Sequence, residues 1–297
     1  MDDAQSTLSL TGPRAVAAPF AALFDARFGD EGLPACVFET DPDAGEASPW
    51  RFTLTVPTAA GDEWIDRLTL LAREGNMSAD FEREDHGDVD WVSMTLQALA
   101  PVRAGRFVVH GSHDRGVARG GEVGVEVDAG LAFGTGHHGT TAGCLDMLER
   151  VLRCERPQRV LDVGTGSAVL AIAAAKAARA RVLASDIDRT AVRVARANVA
   201  TNGVAPFVGC VAAAGFHHAA FRAFGRCDLV MANILAGPLK RLARPMRRHL
   251  ASGAHVILSG LLPHQAAGVL ATYRLQGLVL EREHRRNGWA TLLLRAP

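Results

Sequence analysis

Apolar and polar positions follow two rhythms along this chain, one before residue 100 and another after it. In the first stretch, period-two runs alternate with helical stripes. Leu8-Ser9-Leu10 opens a strand, and residues 15–28 set Val16, Phe20, Leu23 and Phe24 at helical spacing. Residues 35–39 read as a strand and residues 41–49 as a turn-rich stretch. Residues 51–56 read as a strand in which Phe52, Leu54 and Val56 alternate with polar neighbours. Residues 63–73 form a second amphipathic helix, and residues 80–92 are acidic and extended. The order β-α-β-β-α-β predicts a small α+β unit of ferredoxin-like outline.

Residues 101–113 and 123–127 read as strands in a connector, residues 130–141 are glycine-rich, and residues 142–152 are helical. From Val160 short apolar strands alternate with helices: strand 160–163, helix 168–178, strand 182–186, helix 191–200 closed by Asn202-Gly203, strand 229–232, a helix from Pro238, strand 255–259 and a helix from Pro263. Such alternation predicts a parallel α/β sheet. Near the end, Asn287-Gly288 stands between two apolar runs, 278–280 and 290–294, which predicts a terminal antiparallel hairpin.

Composition adds mainly exclusions. With 48% apolar and 22% charged residues over 297 positions, the chain is ordinary globular material. It has no run of about 18 apolar residues that would span a membrane. Its start, Met1-Asp2-Asp3, lacks the basic-then-apolar pattern of a leader. The five cysteines (Cys36, Cys144, Cys154, Cys210, Cys227) include no C-x-x-C pair, which points away from a disulfide framework or thiolate zinc site and toward the reducing cytoplasm. The net charge of zero hides an asymmetry: residues 1–100 hold 19 acids and 6 arginines, a net of −13, so the remainder carries +13. An acidic first part suits a basic macromolecule, and the basic remainder suits nucleic acid.

The candidate chemistry sits at strand ends. Val160-Leu161-Asp162-Val163-Gly164-Thr165-Gly166-Ser167-Ala168 runs an apolar strand through a glycine turn into an alanine-rich helix. Asp186 ends the next strand, 22 residues after Gly164, where a carboxylate accepts both ribose hydroxyls of an adenosine. A dinucleotide loop would place a third glycine where Ala168 and Val169 stand. An acid two residues before the first glycine instead suits S-adenosylmethionine, whose ammonium Asp162 can meet directly or through water. Gly134-Thr135-Gly136-His137-His138-Gly139 matches the dinucleotide pattern by letter but leads into the Asp162 strand rather than out of one. Adjacent His137 and His138 diverge and have no third ligand in register, so no metal is expected. Asn233 follows strand 228–232, and an amide oxygen there accepts a hydrogen bond from an amine and aims its lone pair.

Three stretches together resemble the bacterial methyltransferases of ribosomal protein L11: Gly130-Leu-Ala-Phe-Gly-Thr-Gly-His-His-Gly-Thr-Thr141, the Gly164 loop, and Asn233-Ile-Leu-Ala-Gly-Pro-Leu239. The resemblance runs from about residue 101 to 297. It implies an α/β, Rossmann-like class I methyltransferase domain over 123–297, with a seven-stranded sheet closed by the hairpin. It implies an acidic substrate-recognition domain over 1–92 and a linker with connecting strands over 93–122. It also implies S-adenosylmethionine as methyl donor, with contacts at Thr141, Gly164, Gly166, Asp186 and Asn233, of which Asn233 is also catalytic. The implied reaction methylates lysine ε-amines and the N-terminal α-amine of ribosomal protein L11, and needs neither metal, membrane nor nucleic-acid contact. The chain departs from the family pattern in having Gly139 and Ala129 for prolines, Ala168 for the third loop glycine, and Thr95 for a tryptophan.

Two other readings stay open on residues alone. Another amine or nucleic-acid N-methyltransferase would use the same Asn233 turn, though the acidic first hundred residues repel a phosphate backbone. A non-catalytic cofactor-binding ribosome-assembly factor would keep the same loops. A nicotinamide oxidoreductase is disfavoured by Val169.

Overall fold

The structure, a computed structural model, describes residues 5–31, 33, 35–40, 48–86, 101–127 and 138–297. Most of the predicted turn-rich stretch, the end of the acidic segment, Thr95, Ala129 and residues 130–137 of the glycine-rich stretch lie outside these. The chain divides into two compact units, Met1–Asp90 and Trp91–Pro297.

In the first unit, β1 (Gln5–Gly12) is central, bonded antiparallel to β3 (Trp50–Pro57) and β4 (Glu82–His86), with β2 (Ala35–Glu39) beyond β3. The helices α1 (Arg14–Phe28) and α2 (Gly61–Glu74) follow β1 and β3, giving the split β-α-β arrangement. The period-two residues Leu8, Leu10, Phe52, Leu54 and Val56 share one face and bury Phe20, Phe24, Trp64 and Leu68 against it. Phe20 meets Phe52 edge-on at 5.1 Å.

The second unit opens with a three-stranded sheet. β5 (Val102–Ala104) and β6 (Phe107–His110) form a hairpin, and β7 (Val123–Glu126) joins β6 in parallel. After α3 (His138–Cys154) comes the large sheet. Its strands in chain order are β8 (Arg159–Val163), β9 (Arg181–Asp186), β10 (Val208–Ala212), β11 (Cys227–Asn233), β12 (Leu250–Leu261), β13 (Val279–Arg286) and β14 (Trp289–Arg295). Their spatial order is β10-β9-β8-β11-β12-β14-β13, parallel through β12 and antiparallel at the last two. The turn between β13 and β14 puts Asn287 at φ +48° and Gly288 at φ +77°, the two left-handed residues that an Asn-Gly hairpin favours.

The central strands are apolar on both faces because both are covered, whereas the edge strand β13 is polar and largely exposed. On one face Val160, Leu229 and Met231 pack with α3, α4 (Val169–Ala178) and α5 (Arg189–Thr201). On the other Leu161, Val163, Val230 and Ala232 pack with α6 (Ala219–Phe224), α7 (Ala236–Arg247) and α8 (Pro263–Arg274). Helix α4 is buried along its whole Ala171–Ala175 run, as a helix apolar all round must be.

Candidate active site

In this sheet the chain runs β8, β9, β10 to one side, then crosses back to β11 on the other side of β8. The crevice beyond the carboxyl ends of β8 and β11 is the place where open α/β sheets bind ligands. Asp162, Gly164, Gly166, Asp186, Asn233 and Thr141 all come to this edge.

The loop after β8 is held from both sides. The Gly164 and Thr165 amides donate to the Ser185 carbonyl at 2.8 and 2.9 Å. The Gly166 amide donates to Asp186 Oδ2 at 2.9 Å, and the Asp188 amide to Oδ1 at 3.0 Å. Asn198, buried on α5, donates to the Ser167 carbonyl at 3.0 Å. Gly164 sits at φ +72°, and a Cβ there would lie 2.2 Å from Ile234 Cγ2. Directly after Asp186, Ile187 is 76% exposed.

Asp162 is the buried charge of the site. Its Oδ2 accepts from Thr165 Oγ1 at 2.6 Å and from the Ala171 amide at 3.1 Å. Its Oδ1 is buried without a hydrogen-bond partner among the described residues. Burial pushes the carboxyl from the ordinary 3.8 up to about 6, against those two hydrogen bonds. A folded-state value above the unfolded one favours the protonated form. Stability therefore falls as pH rises from about 4 to about 6, by about 3 kcal/mol in all. Asp162→Asn should accordingly raise the unfolding temperature of the ligand-free protein by several degrees at pH 7 and hardly at pH 4. Thermal melts at the two pH values check this; equal shifts at both would remove ionisation as the cause.

Asn233 ends β11, and its Nδ2 donates to Thr140 Oγ1 at 3.2 Å and Thr141 Oγ1 at 3.5 Å. With Nδ2 committed there, Oδ1 is the acceptor that the side chain offers. Both threonines are buried, and they lie inside the first turn of α3, which begins at His138 rather than at residue 142. Gly139 allows this early start. A Cβ there would lie 2.8 Å from Trp289 Cδ1 and 3.1 Å from the Arg286 carbonyl, so the helix begins tight against the hairpin. Behind Thr140, the buried Ser259 hydroxyl donates to the Thr140 carbonyl at 3.3 Å and meets Thr291 Oγ1 at 2.9 Å.

The next turn residue, Ile234, is wedged between glycines. Gly260, at φ +79° in an irregularity of the β12–β14 pairing, brings its α-carbon so close that a Cβ would lie 2.5 Å from the Ile234 carbonyl oxygen. Ile187, Asn198, Ser259, Gly260 and Thr291 are not marked by sequence motifs, whereas Thr140 falls within the 130–141 stretch. Of these, Ile187 has a usable signal, since it directly follows an apolar strand beside the crossover. Among the described residues no group of three or more His, Cys, Asp or Glu side chains is placed to hold a metal, and no helix is long and apolar enough to cross a membrane.

A seven-stranded sheet in this order, with a glycine loop after its first strand and an acid at the end of its second, defines a class I methyltransferase. The model of the ribosomal protein L11 methyltransferase (PrmA) family matches residues 54–297. The ribosomal protein L11 methyltransferase of Brucella suis is 44% identical over 98% of this chain and all of its own length. That of Mesorhizobium japonicum is 46% identical over 98% of this chain and 99% of its own. The crystal structure of ribosomal protein L11 methylase from Lactobacillus delbrueckii subsp. bulgaricus superposes with a TM-score of 0.60 at 28% identity, covering 67% of this chain and 100% of that one. The chain belongs to the ribosomal protein L11 methyltransferase family, as the three sequence stretches implied, and is an enzyme of methyl transfer.

Proposed function

We propose that this protein transfers methyl groups from S-adenosylmethionine to lysine ε-amines and the N-terminal α-amine of ribosomal protein L11, in the cytoplasm. The observation that carries this is the Asn233 amide, held by two buried threonines beside the Gly164 loop. The names of the full-length relatives supply the protein substrate.

The residues present fit the methyl donor. The unpartnered Oδ1 of Asp162 suits an ammonium, Gly164 and Gly166 let the backbone approach a ligand closely, Asp186 suits the ribose hydroxyls, and Ile187 offers an exposed apolar surface to the adenine. Thr141 shapes the pocket and holds Asn233. When bound, S-adenosylmethionine supplies an electrophilic methyl on a sulfonium that is already a good leaving group. The chain supplies position. Asn233 Oδ1 accepts an N–H of the incoming amine and turns its lone pair toward the methyl, a gain that proximity makes large. A neutral lysine at pH 7 costs roughly 4 to 5 kcal/mol, and desolvation in the crevice lowers that cost. The acidic 1–92 domain is read as the recognition surface for the ribosomal protein, joined through residues 93–122.

Asp186→Ala should weaken S-adenosylmethionine binding about 10- to 100-fold, the value of hydrogen bonds to a charged group. Calorimetric titration measures it, and unchanged affinity would remove Asp186 from the site. The activity itself is tested by offering labelled donor with ribosomal protein L11 and, separately, with ribosomal RNA. Methyl-sized mass increments mapped to amines of the protein support the reading, whereas label on RNA alone sinks it.

A further inference from the structure

The basic half of the chain is not evenly basic. Residues 189–280 contain one acid, Asp228, against eleven lysines and arginines. That acid is committed elsewhere, since its Oδ2 accepts the backbone amides of Gln158 and Arg159 at 2.7 and 2.9 Å. Helices α6, α7 and α8, which cover one face of the large sheet, carry no acidic residue. Arg222, Lys240, Arg241, Arg244, Arg248 and Arg274 stand exposed on or beside them.

On α7 the cations are ordered. Ala236, Leu239, Ala243 and Met246 face the core. Lys240, Arg244 and Arg248 follow at intervals of four along the exposed side, a row of about 12 Å. Lys240 leans across to α8, where a Cβ on Gly268 would lie 3.4 Å from its Nζ. Elsewhere in the same unit several arginines are paired: Arg103 with Glu122, Arg153 with Glu149, Arg286 with Asp146, and Arg295 with Glu155 and Glu281. Lys240, Arg244 and Arg248 enter no ion pair among the described residues.

We propose that the α6–α8 face, with Lys240, Arg244 and Arg248 at its centre, docks the phosphate backbone of RNA. A face with cations and no interleaved acids matches a partner that is uniformly anionic. Protein surfaces mix signs, so an acidic protein would bring lysines and arginines that this face has nothing to receive, whereas a phosphate backbone brings none. The two arginines of the row add the forked geometry that grips phosphate oxygens bidentately. The face lies on the outer side of its helices and α7 starts three residues after Asn233, so a docked strand runs beside the crevice without filling it. Docking needs neither the methyl donor nor turnover, and its failure leaves the proposed methyl transfer untouched.

The test uses the full chain and a fluorescently labelled RNA hairpin, with binding followed by anisotropy across a salt series. Affinity should fall with salt on a log–log slope of about −3 or steeper, each contacted phosphate contributing about −0.7 to −0.9. The triple variant Lys240→Gln, Arg244→Gln, Arg248→Gln should flatten the slope by about two units and weaken low-salt binding at least 10-fold, while methyl transfer to the free ribosomal protein is kept. Arg244→Gln alone should flatten it by about one. A control that removes the paired Arg153 and Arg285 should leave the slope nearly unchanged. The proposal is overturned by an equal loss in that control, by polyglutamate of matched charge competing as well as RNA, or by no binding of the parent chain at low salt.

Discussion

Asn233→Ala is expected to lower turnover about 100- to 1,000-fold while S-adenosylmethionine binds within a few-fold of the parent affinity. The size follows from what one preorganised hydrogen-bonding group contributes at a reacting centre. The asymmetry follows from where the bonds run. Nδ2 is spent on Thr140 and Thr141, and in the proposed mechanism Oδ1 is the group that meets an incoming amine. Removing the amide thus takes an interaction from the acceptor amine, while Asp162, the Gly164 loop and Asp186 stay in place for the donor. Single-turnover rates with saturating donor, beside a donor titration, separate the two effects. Equal losses in affinity and rate would make Asn233 a binding residue only.

The second large effect falls on a residue with no functional group. Gly260→Ala should destabilise the methyltransferase unit by about 2 to 5 kcal/mol. A left-handed φ costs an alanine about 1 to 2 kcal/mol, and overlap with fixed backbone adds about 1 to 3. The backbone in question is Ile234, whose carbonyl oxygen, carbon and nitrogen would lie 2.5, 2.9 and 3.1 Å from the new methyl. At about 2 to 4 °C per kcal/mol for a unit of this size, the melting temperature should drop by about 10 °C. Gly203→Ala provides the comparison: its φ is +68°, but nothing lies within 4 Å of a Cβ there, so only the conformational cost applies. Folded Gly260→Ala protein, assayed in the cold, should also turn over slowly, because the displaced turn carries Asn233. Full activity with a normal melting temperature would show that the turn yields freely.

Much of this architecture is legible in the sequence wherever burial is complete. The strands β8, β9, β11 and the core of β12 are short apolar runs because both faces are covered, and the Asn287-Gly288 turn declares itself by chemistry. What escapes does so for local reasons. β10 is a short edge strand containing Gly209, which blunts its pattern. α6 has only six residues and is capped by a histidine side chain rather than by one of the usual capping residues. α7 starts at Ala236, two residues before Pro238, since proline is tolerated in a first helical turn. Ala168 looks like the first residue of α4 but is held left-handed at φ +67° just before it, where the loop turns into the helix. In the site, Asp162, Gly164, Gly166, Asp186 and Asn233 are readable because a glycine turn or a strand end marks each. Ser259 and Thr291 are not, because a hydroxyl in an apolar strand gives no sign of the partner it will meet from another strand.

That last pair has a consequence for how the enzyme comes into being. The bond that orients Asn233 joins residues 93 apart in sequence, the bond from Ser259 to the Thr140 carbonyl joins residues 119 apart, and Thr291 adds a strand 32 residues later still. Contacts this distant form late, after the loops between them have closed. On a translating ribosome the Gly164 loop can settle soon after β9 has emerged, but Thr140 gains its full support only after the chain has been synthesised through β14. A nascent chain would therefore hold its Gly164 loop before it holds the Asn233 amide in place, and under the proposed mechanism it would become competent for transfer only near the end of its own synthesis.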